Sequence, residues 1–411
     1  MELIQNGQTQ VYCWGLGKEG ILTNKYNLIT IKIFKGQIGN NQFENQNLPQ
    51  KVLINIKQQD NIVQVQAGGQ YSAILTKDGN VYMFGSNKKG KMGIKDEEKD
   101  YSLPQQIKEL CQIKKIALGD WHSLALDNNG QCFSVGYSKF GALGIDNQQS
   151  SNLFLPIYLK NNERIQQIYA GRNISLFINE NNQLYSSGIG FLTGNNKVQY
   201  TPQVVQKLEN VKINISSAGF TSCAAIDNKG QIYTWGKGVD YNLGHGNCKD
   251  VAEPKLIEKL IQTKDIISQS QNIIFTKVSC SRGDKNVHMG AVTQNGDVYT
   301  WGSGYKGKLG HVKSENNKND GFQDYKIPKK IENFDEKAAD FIAGGIHSAI
   351  LTQKNELFTF GCGSDGRLGH PEKGNHRYLY KEEYPKKIEY FKQRKVLQAF
   401  SSYYHMICMV E

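Results

Sequence analysis

Arginine is scarce in this sequence: six residues, Arg164, Arg172, Arg282, Arg367, Arg377 and Arg394, stand against 43 lysines. Arginine is the side chain suited to bidentate recognition of bases and phosphates. A net charge of +11 carried almost wholly by lysine therefore disfavours nucleic acid as a partner and points to solvated lysine faces. Long apolar runs are missing as well. Nothing approaches the roughly eighteen residues that a membrane-crossing helix needs. The opening MELIQNGQTQ has neither the basic start nor the apolar stretch of a secretory leader. No membrane span and a cytoplasmic location are expected. The eight cysteines (Cys13, Cys111, Cys132, Cys223, Cys248, Cys280, Cys362, Cys408) contain no C-x-x-C pair, and several sit within strand-like runs. Reduced thiols serving as small core residues follow. The sequons at Asn173 and Asn214 would matter only in a secreted chain.

Glycine, by contrast, is abundant at 42 residues, with only 8 prolines and 10% aromatics, which suits short strands joined by glycine turns. One phrase recurs seven times: a strand-like run ending in glycine, a glycine turn, then in most copies Leu-Gly. The copies span 11–22, 81–94, 131–145, 183–194, 231–246, 297–311 and 356–370, with run-ending glycines at 15, 85, 136, 188, 236, 302 and 361. Their spacing of 48 to 70 residues is that of a propeller or solenoid. A second signature, A-G-x-x-H-S-x-x-L, precedes the phrase, most clearly at 67–75, 118–126 and 343–351. Turns such as Asn129-Gly130 and Asn295-Gly296 then read as hairpins. Seven of the eight prolines (Pro49, Pro104, Pro156, Pro202, Pro254, Pro328, Pro385) hold one station per repeat, as expected at a strand start or a sheet edge, where no ladder N–H is required. One blade of short antiparallel strands per repeat is the consequence.

The phrases Trp301-Gly-Ser-Gly-Tyr-Lys-Gly-Lys-Leu-Gly-His311 and Phe360-Gly-Cys-Gly-Ser-Asp-Gly-Arg-Leu-Gly-His370 resemble the repeat of the regulator of chromosome condensation family, and the likeness extends over nearly the whole chain. It implies an all-β, seven-bladed propeller occupying residues 1–411 as one domain. The terminal run Val396–Met409 ends before its own aromatic-Gly strand, while Val11–Gly15 has no preceding partner. The expectation is that these two halves pair, residue 13 near residue 407, and close the ring. Two copies are degraded: Ala170-Gly-Arg-Asn-Ile-Ser lacks its His, and Gly188–Gly194 lacks the Leu-Gly-His ending. Irregular blades are expected there. Insertions near 23–48, 250–274 and 313–327 exceed the economical repeat and are candidates for partner-binding loops.

Several motifs look chemical in isolation. G-x-G-x-x-G begins at Gly15, Gly302 and Gly361, but a dinucleotide loop must open a helix facing the phosphate. Here the turn leads into polar loop sequence. Seven histidines occupy repeat stations: His122, His347 and His405 in the A-G-x-x-H slot, His245, His311 and His370 after Leu-Gly, and His288 in a slot displaced by the polar stretch 282–287. Residues placed by a repeat are hydrogen-bonding elements, and a ring of blades spreads them apart, so neither metal nor cofactor is expected. No nucleophile elbow or telling carboxylate pair stands out. Of four tryptophans, Trp14, Trp235 and Trp301 hold the core station, leaving Trp121 alone. A tryptophan-cluster light sensor is thereby disfavoured.

The resemblance offers two functions: guanine-nucleotide exchange on the small GTPase Ran, with chromatin association, and non-catalytic scaffolding in assemblies such as cilia. The exchange face of the founding member carries acidic residues in successive G-D-x-H and G-x-D-H phrases. Here Gly119-Asp120-Trp121-His122 matches the first, but Gly171-Arg172-Asn173-Ile174 loses both Asp and His. The turn at Tyr137–Gly144 leaves no room for the family's wedge, and the first ten residues contain no Lys or Arg to serve as its basic tail. A non-enzymatic interaction scaffold of a ciliary, axonemal or cytoskeletal assembly is preferred, with the exchange factor and a nuclear location as the alternative. The expected partners are other proteins. The candidate binding face is Asp120, Trp121, Arg172, Asn173, Arg282 and Asp284.

Overall fold

In each phrase, apolar residues alternate along the run and a glycine ends it; the structure shows why that glycine cannot be replaced. Gly302 sits at φ +98°, and a Cβ placed on it would lie 2.6 Å from the Val287 carbonyl oxygen and 2.9 Å from the His288 Cα. The strand crosses its neighbour too closely for any side chain, in a conformation that only glycine adopts without strain. The computed structural model describes residues 9–16, 36–42, 44–54, 61–97, 99–146, 149–262, 265–268, 273–311, 323–371 and 380–411.

Seven antiparallel sheets form the blades of a propeller. In the first blade the strands run Ile62–Gly68, Tyr71–Thr76, Val81–Ser86 and Asp100–Gln106, from the channel outward. The later blades repeat that order, with innermost strands Ile113–Leu118, Ile165–Ala170, Ile213–Ala218, Phe275–Cys280, Ala338–Ala343 and Val396–Ser401. All seven station prolines fall in the fourth strand of their blades, which is the sheet edge in six of them. The seventh blade is assembled from both ends of the chain: His405–Val410 pairs with Gln10–Gly15, placing Cys13 opposite Ile407, and Gln46–Lys51 completes the sheet.

Apolar side chains between neighbouring blades make the core. Each of its seven clusters draws on two adjacent blades. The station tryptophans bind backward across these seams, Trp301 Nε1 donating to the Asn242 carbonyl at 2.7 Å and Trp235 Nε1 to that of Leu192 at 2.7 Å. Every buried indole N–H thus has an acceptor.

Both degraded copies fall in the third blade, which is nonetheless regular, because strand pairing rests on backbone and apolar spacing that it retains. Only the turn differs, with a short helix, Gly190–Thr193, where most blades have a 3₁₀ turn or a plain bend. The insertion at 250–274 is sheet in large part rather than loop. Lys259–Gln262 and Asp265–Ser268 form a hairpin, and Ile261 pairs in parallel with Lys329 of the fifth blade, enlarging that sheet to six strands. Fully buried Leu260 anchors it to the core. Most of the insertions at 23–48 and 313–327, and the end of the phrase at 11–22, lie outside the described residues.

All eight cysteines are free thiols, six buried and two, Cys111 and Cys248, exposed. Burial raises the thiols of Cys13, Cys132, Cys223 and Cys408 and pushes Cys280 up to about 12. Titration with a thiol-specific disulfide reagent is expected to find the two exposed cysteines in the native protein and all eight after denaturation. A native count near eight would contradict the buried placement.

Candidate protein-binding face

The turn joining the two inner strands of each blade carries the A-G-x-x-H signature, and five of these turns bond to the next around the ring. The N–H groups of Gly69, Asp120, Arg172, Phe220 and Arg282 donate to the carbonyls of Gly119, Gly171, Gly219, Ser281 and Gly344, at 3.0 to 3.3 Å. This belt accounts for the glycine that holds the signature's second position in five of the seven blades. A Cβ on Gly119 would stand 2.3 Å from the Gly171 carbonyl. With the backbone so fixed, the two variable residues of each turn project from a rigid rim around one mouth of the channel.

The six sequence-derived residues all lie on this rim. Arg172 is half-buried, with its guanidinium carbon 3.8 Å from the centre of the Phe220 ring, a flat stack that holds the charge with little mobility. Arg282 reaches over the mouth: Nη1 donates to the Ala170 carbonyl at 2.8 Å, two blades away from its own. Its longer turn makes the reach feasible, seven residues separating Cys280 from His288 where three separate Leu118 from His122. Asp120 is half-buried among these cations; burial raises its carboxyl, while Arg282, Arg172 and Lys91 pull it back. Asn173 is half-buried, and Asp284 is exposed, near enough to raise both Asp120 and Tyr403.

Sequence reasoning missed several members. Lys91 is fully buried; its ammonium donates to the Gly69 and Asp120 carbonyls and lies 4.7 Å from the Tyr71 ring and 5.2 Å from that of Trp121. It is the prop beneath Trp121. Phe220 and the tilted pair Tyr403–Tyr404, with ring centres 4.5 Å apart and planes at 55°, complete the rim. Reading the two variable positions of the signature across every repeat, rather than in the best-matched ones, would have found all three.

The histidines are structural. His122, His288, His347 and His405 are fully buried, and Nε2 of each lies 2.8 Å from a serine hydroxyl of the next blade: Ser175, Ser348, Ser401 and Ser72. Among the described residues no three His, Cys, Asp or Glu side chains are grouped to hold a metal. None of the helices described is long and apolar enough to cross a membrane.

Residues 3–281 match the model of the RCC1-like domain, and residues 295–351 and 354–409 match the regulator of chromosome condensation (RCC1) repeat. The chain is 26% identical to the human E3 ubiquitin-protein ligase HERC2 over 349 residues, 81% of this chain but 6% of that protein. It is 28% identical to the ultraviolet-B receptor UVR8 of Arabidopsis thaliana, covering 88% of this chain and 76% of the receptor. Among solved structures, Prp20p of Saccharomyces cerevisiae superposes with a TM-score of 0.79 at 18% identity over 99% of this chain and 92% of that one. Human WBSCR16 gives 0.75 at 19%, covering 98% and 99%.

Proposed function

The chain belongs to the RCC1 repeat family, and from that membership we propose that it is a non-catalytic protein-interaction platform that binds its partner on the turn-bearing face. The observation that carries the reading is the rim itself: two arginines, Trp121, Phe220 and the Tyr403–Tyr404 pair held on a backbone belt. Arginine, tryptophan and tyrosine dominate binding hot spots, and a rim fixed in advance loses little entropy when it is covered. The family contains exchange-type and other members, and the chain spans 6% of the HERC2 ligases it matches; a ligase reaction is not assigned to it.

Exchange on a Ran-type GTPase is the second reading, supported by the fold shared with Prp20p, whose structure was described with its binding to Gsp1p and histones, and by the retained Asp120 and His122. Against it stands the next turn. Arg172 is committed to Phe220, and Ile174 fills the buried slot that His occupies elsewhere. The purified chain is expected to leave nucleotide release from Ran unaccelerated. A hundredfold acceleration would replace the platform reading with the exchange reading. The platform itself is tested by affinity capture from the native cell with wild type and with a Trp121→Ala, Arg172→Ala double variant: proteins retained by the first should be lost from the second. We place the assembly, by family resemblance, in a cilium, axoneme or cytoskeleton within the cytoplasm, with the nucleus as the alternative; imaging of the tagged chain decides.

A further inference from the structure

The seven innermost strands enclose a central channel of about 300 Å³. The third residue of each strand points into it, and these residues include Gln64, Lys115, Gln167, Lys277, Asp340 and Gln398. The glutamines are occupied in stitching blades together. Gln64 exchanges two hydrogen bonds of 2.9 Å with the backbone of Ile116, Gln398 accepts from Val65 N–H at 2.8 Å, and Gln167 donates to the Asn214 carbonyl at 2.9 Å.

The charged residues are unbalanced. Lys115 makes one long contact, 3.5 Å, to the Gln167 amide oxygen. Lys277 lies within electrostatic reach of it across the channel, and Asp340, the one carboxylate lining the cavity, faces Lys277. Burial, with Lys277 and then Lys114 adding like charge, lowers the Lys115 ammonium below its usual range, and burial raises Asp340 despite Lys277. Arg282, bonded across to Ala170, bars the end of the channel beneath the turn-bearing face and adds a third cation to its lining. At the other end the second residues of the innermost strands, such as Val63, Lys114 and Gln166, are exposed. The channel is thus a blind well, open on one face, with Lys115 and Lys277 against Asp340 among the described residues and with Arg282, itself faced by Asp120, at its closed end.

We propose that this well binds a small soluble polyanion of the phosphate class, bridged between Lys115 and Lys277 with Arg282 at its floor. Two ammonium groups held apart by rigid strands repel each other when the well holds water alone, and a dianion between them removes that repulsion while gaining charge-assisted hydrogen bonds. Phosphate and pyrophosphate are small enough for the cavity. The inference is independent of the partner-binding role, because the well opens on the opposite face.

The test uses inorganic pyrophosphate as probe, with calorimetry and thermal melting of the full chain at low salt and sodium chloride at matched ionic strength as control. One pyrophosphate per chain is expected, with stabilisation that chloride does not reproduce. Lys115→Met and Lys277→Met should each weaken binding by about tenfold or more, while Lys115→Met should melt at least as high as wild type without the anion, because a like charge has gone. Lys115→Arg, which keeps the charge, should retain binding. Absence of binding, binding unchanged in either methionine variant, or a Lys115→Met variant that melts lower than wild type without the anion would overturn the proposal.

Discussion

Deleting residues 1–16 is expected to lower the melting temperature by at least about 10 °C and to produce aggregates, whereas removing residues 1–8 alone should leave melting unchanged. Gln10–Gly15 is the third strand of the seventh blade, in continuous register with His405–Val410 from Gln10 opposite Val410 to Gly15 opposite His405. Val11, Tyr12, Cys13 and Trp14 are all buried, and Trp14 Nε1 donates to the Arg367 carbonyl at 3.2 Å. Burying apolar side chains of this size contributes roughly 1.5–3 kcal/mol each, a large share of the about 5–15 kcal/mol that holds a domain folded. Loss of the strand also exposes the edges of His405–Val410 and Gln46–Lys51, and open apolar edges template aggregation. Differential scanning calorimetry and light scattering of the two truncations decide the matter. Equal melting of the shorter chain and the full one would mean that ring closure contributes little.

Much of this architecture is written in the sequence because the propeller repeats its constraints. Gly302 and its six counterparts recur because each ends a strand at a positive φ against its neighbour's backbone, and a requirement repeated seven times becomes visible without any coordinates. Closure was legible for the same reason: a half-repeat at each end has one economical solution. The candidate face was legible where repeats agree, at Asp120 and Trp121, and where they conspicuously fail, at Arg172 and Asn173. Lys91 was not. It occupies the station before Met92-Gly93, which reads as an ordinary surface lysine until the fold brings Gly69, Asp120, Tyr71 and Trp121 around it. The charged well was hidden too. Lys115, Lys277 and Asp340 lie 162 and 63 residues apart along the chain, and only closure of the ring turns one strand position into a shared interior. The hairpin at 259–268 escaped because its pairing partner, Lys329, belongs to a strand of another repeat phrase.

Mild acid is expected to unfold the protein well before its carboxylates titrate out. His122, His288, His347 and His405 are fully buried and His370 nearly so. Burial holds their imidazoles below the ordinary range, at about 3 for His122 and His405, about 4 for His370, and well below 6.5 for His288 and His347. The hydrogen bonds say why protonation is not accommodated. Ser175 and Ser348 donate to the carbonyls of Ala142 and Lys308, so their oxygens accept from His122 and His288 Nε2–H. The proton therefore resides on Nε2, and the buried Nδ1 atoms of His122, His288 and His347 have no partner to receive a second N–H. A depressed folded pKa means that the unfolded chain binds more protons once the pH falls below about 6.5. The stabilisation is present above that pH and is lost progressively as the pH descends toward the folded values. Each such group costs about 1.4 kcal/mol per pH unit in this window, so five together remove on the order of 10 kcal/mol by pH 4.5, comparable with the whole stability of a domain. Asp120 and Asp340, whose carboxyls are raised by burial, act in the opposite sense, but they are two against five. Denaturant midpoints measured at pH 7.5, 6.5, 5.5 and 4.5 (roughly spanning the interval below the free imidazole value) should fall steeply below 6.5, and His405→Gln should shallow the dependence by about one proton. A midpoint that stays level between the two central pH values would show that the interblade histidines accept a second proton in the folded ring, contrary to their Nε2–H bonds to serine.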